Sequence, residues 1–182
     1  MARLAVGCVV AATALATAGC GGADKVSSAP TAPTARLSVS SPAFAAGGTI
    51  PARFTCSGAG DRPTLRFASV PSGARELALL VIDPDAGGFV HWTVYGMDPA
   101  TRAIAATGLP AGARQGKNST GGTGWTPPCP PSGTHRYQFE LYWLRTPSGL
   151  AAGADPQTVV EAVQKAAAGR GELIGRYGKR GA

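Results

Sequence analysis

The sequence predicts an α+β domain, mainly β, built on an antiparallel sheet. Two observations carry this. Short apolar runs of strand type, bounded by Gly, Pro or Ser, fill the chain from Leu37 to Leu144. The clearest helix pattern comes only afterwards, so the order is strands first and helices late, with no internal repeat.

Leu37-Ser38-Val39-Ser40 and Ala52-Arg53-Phe54-Thr55 each alternate apolar with polar residues, which reads as two half-buried strands separated by turn residues. Leu65 to Phe67 is a third candidate strand. Leu77 to Ile82 is continuously apolar, which predicts a central strand covered on both faces. His91 to Met97 and Tyr137 to Leu144 continue the β pattern. Asp155 can cap a helix whose first position suits Pro156, whose stripe is Val159, Val160 and Val163, and which Gly169 can end. A second, short helix is expected around Glu172 to Tyr177.

The first residues stand apart from this domain. Arg3 gives a positive start, Leu4 to Ala18 is uncharged, and small residues precede Cys20. That is the build of an export signal, and the run is too short to span a bilayer comfortably. Ala18-Gly19-Cys20 resembles the bacterial lipoprotein processing site, although Thr17 stands where leucine is usual; an ordinary secreted protein is the competing reading. Residues 1–19 are thus expected to be a lipoprotein signal peptide, Cys20 the lipidated mature N-terminus, residues 20–35 a disordered tether, and residues 36–182 the folded domain. From Gly21 to Ala35 the only large apolar side chain is Val26, so this segment cannot contribute to a core. Extended, it would reach about 45 Å at about 3.1 Å per residue. The expected location is the outer face of the cell membrane.

The whole chain carries a net charge of +7. That excess favours anionic partners weakly. The basic residues are scattered, with one cluster at Arg176, Lys179 and Arg180, and they do not interleave with aromatic residues as single-strand binders require. No nucleic-acid partner is expected. Cys8 leaves with the signal and Cys20 carries lipid, which leaves Cys56 and Cys129. In an exported chain two remaining thiols suggest one disulfide, worth about 4 kcal/mol on a chain-entropy argument for a loop of this length. The alternative is two buried free thiols, which pack as small hydrophobes.

Two blocks carry the candidate chemistry. Asp83-Pro84-Asp85-Ala86-Gly87-Gly88-Phe89-Val90-His91-Trp92 is answered by Pro127-Pro128-Cys129-Pro130-Pro131-Ser132-Gly133-Thr134-His135-Arg136-Tyr137. Together they contain both histidines of the chain, and each abuts an apolar strand that would hold it rigidly. An imidazole can donate hydrogen bonds to an anion, and a neighbouring carboxylate can fix its tautomer. Asp83 or Asp85 suits that orienting role, leaving the other to bond turn amides in the Asp-Pro-Asp loop.

The Asp-Pro-Asp-Ala loop, the following His-Trp, the Pro-Cys-Pro-Pro segment and the His-Arg-Tyr run, in that order, resemble the phosphatidylethanolamine-binding protein family, in its bacterial Raf-kinase-inhibitor-like (YbhB/YbcL-type) branch. The likeness covers roughly Arg36 to Arg180. It implies a large central antiparallel sheet, a smaller sheet packed on it and C-terminal helices. It also implies a shallow pocket for anionic groups such as phospholipid head groups. Asp83, Asp85, His91, Trp92, Pro128, His135 and Tyr137 occupy the family's ligand-binding motif positions, with Arg136 beside them. No catalytic residue, metal or cofactor is implied. The family's eukaryotic members suggest the alternative of a protein-interaction module that inhibits a kinase or protease. Departures lie at Gly87, where relatives have a second loop proline, and at Trp125-Thr126-Pro127, where many have Tyr-Gly-Gly.

Enzymatic readings find little support. No Gly-x-Ser-x-Gly or His-Glu-x-x-His occurs, and Gly116-Lys117-Asn118 is no phosphate loop, because Ala111 stands where its first glycine is needed. A mononuclear metal hydrolase using His91, His135, Asp83 and Asp85 has suitable ligand types for zinc, but the spacing fits no compact metal motif. Asn118-Ser119-Thr120 matches the glycosylation sequon, most simply by coincidence. The glycines from Gly116 to Gly124 are expected to form a flexible surface loop beside the pocket.

Overall fold

A computed structural model describes residues 36–179. The expected signal peptide, Cys20 and the whole of the tether therefore lie outside the described residues, as does Arg180. Eight strands and one α-helix form two antiparallel sheets. The small sheet contains β1 (Ser38–Ser40), β2 (Leu65–Ala68) and β5 (Ala103–Ile104), in the order β1-β2-β5. The large one contains β3 (Glu76–Asp83), β4 (Phe89–Met97), β6 (Arg114–Gln115), β7 (Thr134–Leu144) and β8 (Ala167–Gly178), in the order β6-β4-β3-β7-β8. Helix α1 (Pro156–Ala166) connects β7 to β8.

The period-two pattern of β3 explains the layering. Leu77, Leu79 and Val81 face a core shared with Val39, Leu65, Phe67 and Ile104 of the small sheet. Ala78 and Leu80 face the other way, where Val159 and Val163 of α1 pack with Tyr95, Tyr142 and Leu144. β3 is the middle strand and has both faces covered, as its unbroken apolar run predicts.

Helix α1 begins as expected, with Asp155 accepting from the Gln157 amide at 3.1 Å and Pro156 in the first turn. It stops at Ala166 instead of running to Gly169, because Ala167 already pairs with Leu144. The second helix expected at Glu172–Tyr177 is absent; this segment belongs to β8, paired with β7 from Thr134↔Gly178 to Leu144↔Ala167. Its glycines mark close packing rather than a chain break. A Cβ on Gly171 would stand 2.3 Å from the Leu37 carbonyl oxygen, and one on Gly175 would stand 2.6 Å from Ile50. Ala52–Phe54 is a single 3-10 turn rather than a strand, closed by the Thr55 amide and hydroxyl on the Ala52 carbonyl. Just before it, Gly47 to Ile50 hydrogen-bonds to Ile174 and Arg176, which covers the outer edge of β8.

Cys56 and Cys129 form a disulfide with their Cα atoms 5.3 Å apart, and the Cys56 amide donates to the Pro128 carbonyl at 3.0 Å. The bridge ties the Pro-Cys-Pro-Pro segment to the turn that follows the 3-10 turn. Peptide mapping of unreduced, alkylated protein should recover both cysteines in one cross-linked fragment, and separately alkylated Cys56 and Cys129 would overturn the pairing. Gly171→Ala should destabilise the domain by about 1–3 kcal/mol, since the obstacle is backbone that must shift. Urea unfolding of parent and variant at equal pH measures the difference, and coincident curves would show that the two sheets are not in this close contact.

Candidate functional site

The site grows from the face of the large sheet that also carries the main core. On β3 the sequence 77, 79, 81 continues to Asp83, and on β7 the sequence 141, 139 continues to Tyr137 and His135. Regular alternation on β4 would send His91 and Trp92 to opposite faces. The ladder is interrupted there: Val81 pairs with Trp92 and Ile82 with Val90, so His91 is the extra residue of a β-bulge. The bulge re-aims His91 toward Tyr137, ring centroids 5.2 Å apart, while Trp92 stays in the core beneath.

Asp83 ends β3 and holds the site together. Its Oδ1 accepts from the amides of Asp85 and Ala86, at 2.9 and 3.1 Å, which caps the 3-10 turn Pro84–Ala86. Its Oδ2 lies 2.7 Å from His135 Nδ1. A carboxylate only accepts, so Nδ1 of His135 carries hydrogen. Asp83 thus fills both roles that sequence reasoning divided between the two aspartates. Asp85 instead faces Arg136, accepting from the backbone amide at 2.8 Å and from the guanidinium at 3.0 and 2.6 Å. The Arg136 hydrogen bonds push the Asp85 carboxyl down to about 2. Gly87, with φ 67°, lets the chain leave this turn in a conformation that the family's proline could not adopt.

His91 is nearly buried, and its Nδ1 lies 2.8 Å from the Thr126 carbonyl, again an acceptor, so this nitrogen also carries hydrogen. Burial pushes the His91 pKa down, opposed by the Thr126 bond and by the Asp83 charge. Tyr137 is fully buried, and its hydroxyl makes no hydrogen bond within the described residues. Burial, and then the negative charge of Asp83, push the phenol upward and keep it protonated.

These groups end a cavity of about 310 Å³. Asp83, His91, His135 and Tyr137 line it, with Thr120 and Thr126 beside them; its walls are Ala86, Phe89, Pro127, Cys129, Pro130 and Pro131. No lysine or arginine is among the lining residues described. Three of the expected ligand-binding residues stay outside it. Asp85 is engaged by Arg136, Pro128 gives its carbonyl to Cys56, and Trp92 is fully buried with its indole N–H donated to Gln115 at 2.6 Å. Trp125, where many relatives have tyrosine, is not among the lining residues; its ring centroid lies 6.5 Å from that of His91, and its indole N–H donates to the Gly60 carbonyl. Sequence reasoning missed Phe89 and Thr120; the strand alternation of Phe89 with Val90 was the available signal for the first. The loop from Gly116 to Gly124 is packed rather than free. A Cβ on Gly116 would stand 2.7 Å from the Thr93 hydroxyl, and Asn118 is buried with its side chain bonded at both ends, a poor acceptor for glycan. Among the described residues no group of three His, Cys, Asp or Glu could hold a metal ion.

Residues 40–178 match the family described as phosphatidylethanolamine-binding protein. A Mycobacterium tuberculosis protein that carries the name lipoprotein LppC is 40% identical, over 91% of this chain and 92% of its own. A UPF0098 protein of Methanothermobacter thermautotrophicus is 42% identical, over 74% of this chain and 94% of its own. Two crystal structures share the fold. A phosphatidylethanolamine-binding protein homologue from Chlamydia trachomatis aligns with a TM-score of 0.73 and 35% identity, covering 80% of this chain and 99% of the other. Escherichia coli YbcL aligns with a TM-score of 0.75 and 27% identity, covering 80% of this chain and all of the other, 100%. With a family match across nearly all described residues, a relative 40% identical over most of both chains and the Asp-Pro-Asp and His-Arg-Tyr blocks meeting at one cavity, the chain belongs to the phosphatidylethanolamine-binding protein family.

Proposed function

We propose that the protein is a non-enzymatic binding protein that holds a small anionic or phosphorylated group, such as a phospholipid head group, in the Asp83–His91–His135–Tyr137 cavity. The carrying observation is the unpartnered, fully buried Tyr137 hydroxyl between two imidazoles that are each fixed through Nδ1. A phenol so buried costs about 1–3 kcal/mol unless something accepts from it. A ligand oxygen between the rings can be that acceptor. The apolar walls suit the carbon-bearing part of an amphiphile.

Charge sets the pH dependence. The nearest permanent cation, Arg136, is held by Asp85, and Asp83 places a carboxylate at the polar end. A neutral ring with hydrogen on Nδ1 offers only a lone pair at Nε2, which cannot donate to an anion. Protonation turns Nε2 into a charge-assisted donor worth about 1.5–3 kcal/mol per contact. Anion binding is therefore coupled to proton uptake and strengthens as pH falls. Burial lowers the His91 pKa in the free protein, so the contribution of that ring appears below the ordinary histidine range. Two such contacts against the cost of immobilising a small ligand point to micromolar to millimolar affinity, on the order of −4 to −8 kcal/mol.

The proposal extends to location. Cys20, following the apolar run from Leu4 to Ala18, is the lipid attachment point, and the domain stands off the outer face of the membrane on residues 20–35. The LppC relative, whose name includes the word lipoprotein, supports this reading.

Two measurements test these proposals. NMR titration with phosphoethanolamine should show tighter binding at about pH 5.5 than at about pH 7.5, on either side of the unperturbed histidine pKa. His91→Ala should weaken it roughly tenfold or more, one contact's worth. Equal binding by the variant, or no shifts near His91 and His135, would refute the site. A protein partner retained in pull-downs without head-group binding would favour the kinase or protease inhibitor reading. Separately, Cys20→Ala should move the protein out of membrane fractions, and unchanged membrane association would overturn the anchor.

A further inference from the structure

The ring of His135 is oriented by a carboxylate, but the ring of His91 is oriented by a backbone carbonyl, which is only as well placed as the loop that carries it. That loop has one buried post. Asn118 is 4% exposed, and its Nδ2 donates to Thr126 Oγ1 at 2.6 Å and to the Gly124 carbonyl at 3.0 Å. Its Oδ1 accepts from the Thr120 hydroxyl at 2.6 Å and the Thr120 amide at 3.0 Å. Its backbone closes the same loop, the amide donating to Gly122 and the carbonyl accepting from Gly121. Thr126 in turn clasps His91 twice, accepting from Nδ1 at 2.8 Å and donating its amide to the His91 carbonyl at 2.9 Å. The amide side chain therefore joins both loop residues that reach the cavity, Thr120 and Thr126, and does so one bond removed from the bulged histidine.

We propose that Asn118 is the positioning residue for His91. By bracing Thr126 it keeps the His91 ring in the Nδ1–H tautomer, with Nε2 free for a ligand. Resting on the proposed ligand site, this adds a residue that touches no ligand yet governs one of its contacts. The chemistry favours an amide over its isosteric acid at this position: a carboxylate at 118 could still accept from Thr120, but it would set a negative oxygen against the Gly124 carbonyl, where the structure needs a donor. The bulge makes the dependence acute. His91 is the extra residue of the ladder, so the sheet itself does not fix its direction.

Charged and titratable groups around His91 enter the test. Asp83 and His135 act on it from β3 and β7, Tyr137 meets its ring edge from β7, and neither Asn118 nor Thr126 titrates. A change of His91 state in Asn118→Ala or Thr126→Val therefore comes through position and not through a changed charge, whereas Asn118→Asp also brings a carboxylate near the ring and is read beside them.

The experiment is 15N NMR of the imidazole nitrogens in full-length protein without ligand, followed by phosphoethanolamine titration. In the parent, neutral His91 should show hydrogen on Nδ1. Asn118→Ala and Asn118→Asp should lower the Nδ1–H population of His91 while leaving that of His135, anchored by Asp83, unchanged. Thr126→Val should shift His91 in the same direction, and Thr126→Ser, which keeps the hydroxyl, should restore the parent pattern. Head-group affinity should fall about tenfold in Asn118→Ala and fall no further when Asn118→Ala is added to His91→Ala. An unchanged His91 tautomer in folded Asn118→Ala or in Thr126→Val would overturn the proposal, as would equal disturbance of His135. Thr126→Val keeps the question open to refutation if Asn118→Ala does not fold. The tautomer readout needs no ligand, so failure of the parent to bind phosphoethanolamine would count against the ligand site alone.

Discussion

The carboxylate of Asp83 sits where three demands meet. It terminates the central strand, it caps the 3-10 turn that begins the Asp-Pro-Asp loop, and it fixes the tautomer of a histidine on β7, with three strands between them in sequence. Each oxygen has its own task, two turn amides for one and an imidazole for the other. Because Asp83 is almost fully buried, loss of any of these donors would leave an incompletely bonded carboxylate away from water, which is costly. Loop, strand end and His135 are thus one unit. The second aspartate has the complementary task of neutralising Arg136, and it thereby keeps a guanidinium out of the cavity.

For the anion-binding role proposed above, that arrangement is electrostatically unusual. The cavity's polar end holds groups whose charge depends on protons instead of a standing cation. Selectivity then comes from geometry and from the protons the site can take up, while the disulfide and prolines give the opposite wall its shape. The departure from the family's Tyr-Gly-Gly at Trp125-Thr126-Pro127 has local consequences on both sides of that wall. Trp125 lies near His91 without lining the cavity, and Pro127 replaces a glycine with a ring at the cavity surface.

Much of this was legible in the residues, and what was not follows a pattern. The alternation of β1, β2 and β7 and the unbroken apolar run of β3 could be read directly, because each reports burial of a face. β8 could not be read so easily. Its Leu173, Gly175 and Tyr177 do alternate inward, but glycine gives no hydrophobic signal, and its value here is the missing Cβ against Ile50 and Phe44. Ala52–Thr55 failed for the opposite reason, since four alternating residues are too few to separate a strand from one tight turn. At the site, the two blocks were found, and Asp83, His91, His135 and Tyr137 do converge. Trp92 and Pro128 were placed with them by the family resemblance, which assigns motif positions but does not say that the Trp92 ring is buried beneath the site or that Pro128 turns its carbonyl to Cys56. Asn118 drew attention only as part of a sequon and of a rejected phosphate loop, although its buried hydrogen bonds are contacts that no local motif encodes.

The distances along the chain between the site's parts bear on how the protein comes to fold. Asp83 and His135 are 52 residues apart, and the disulfide joins positions separated by 73. The Asp83–His135 contact forms only where the ends of β3 and β7 meet, a non-local pairing whose loop-closure entropy is met before any reward is gained. The cavity, which draws on both strands and on the bridged segment, is therefore complete only once these distant parts of the chain have come together.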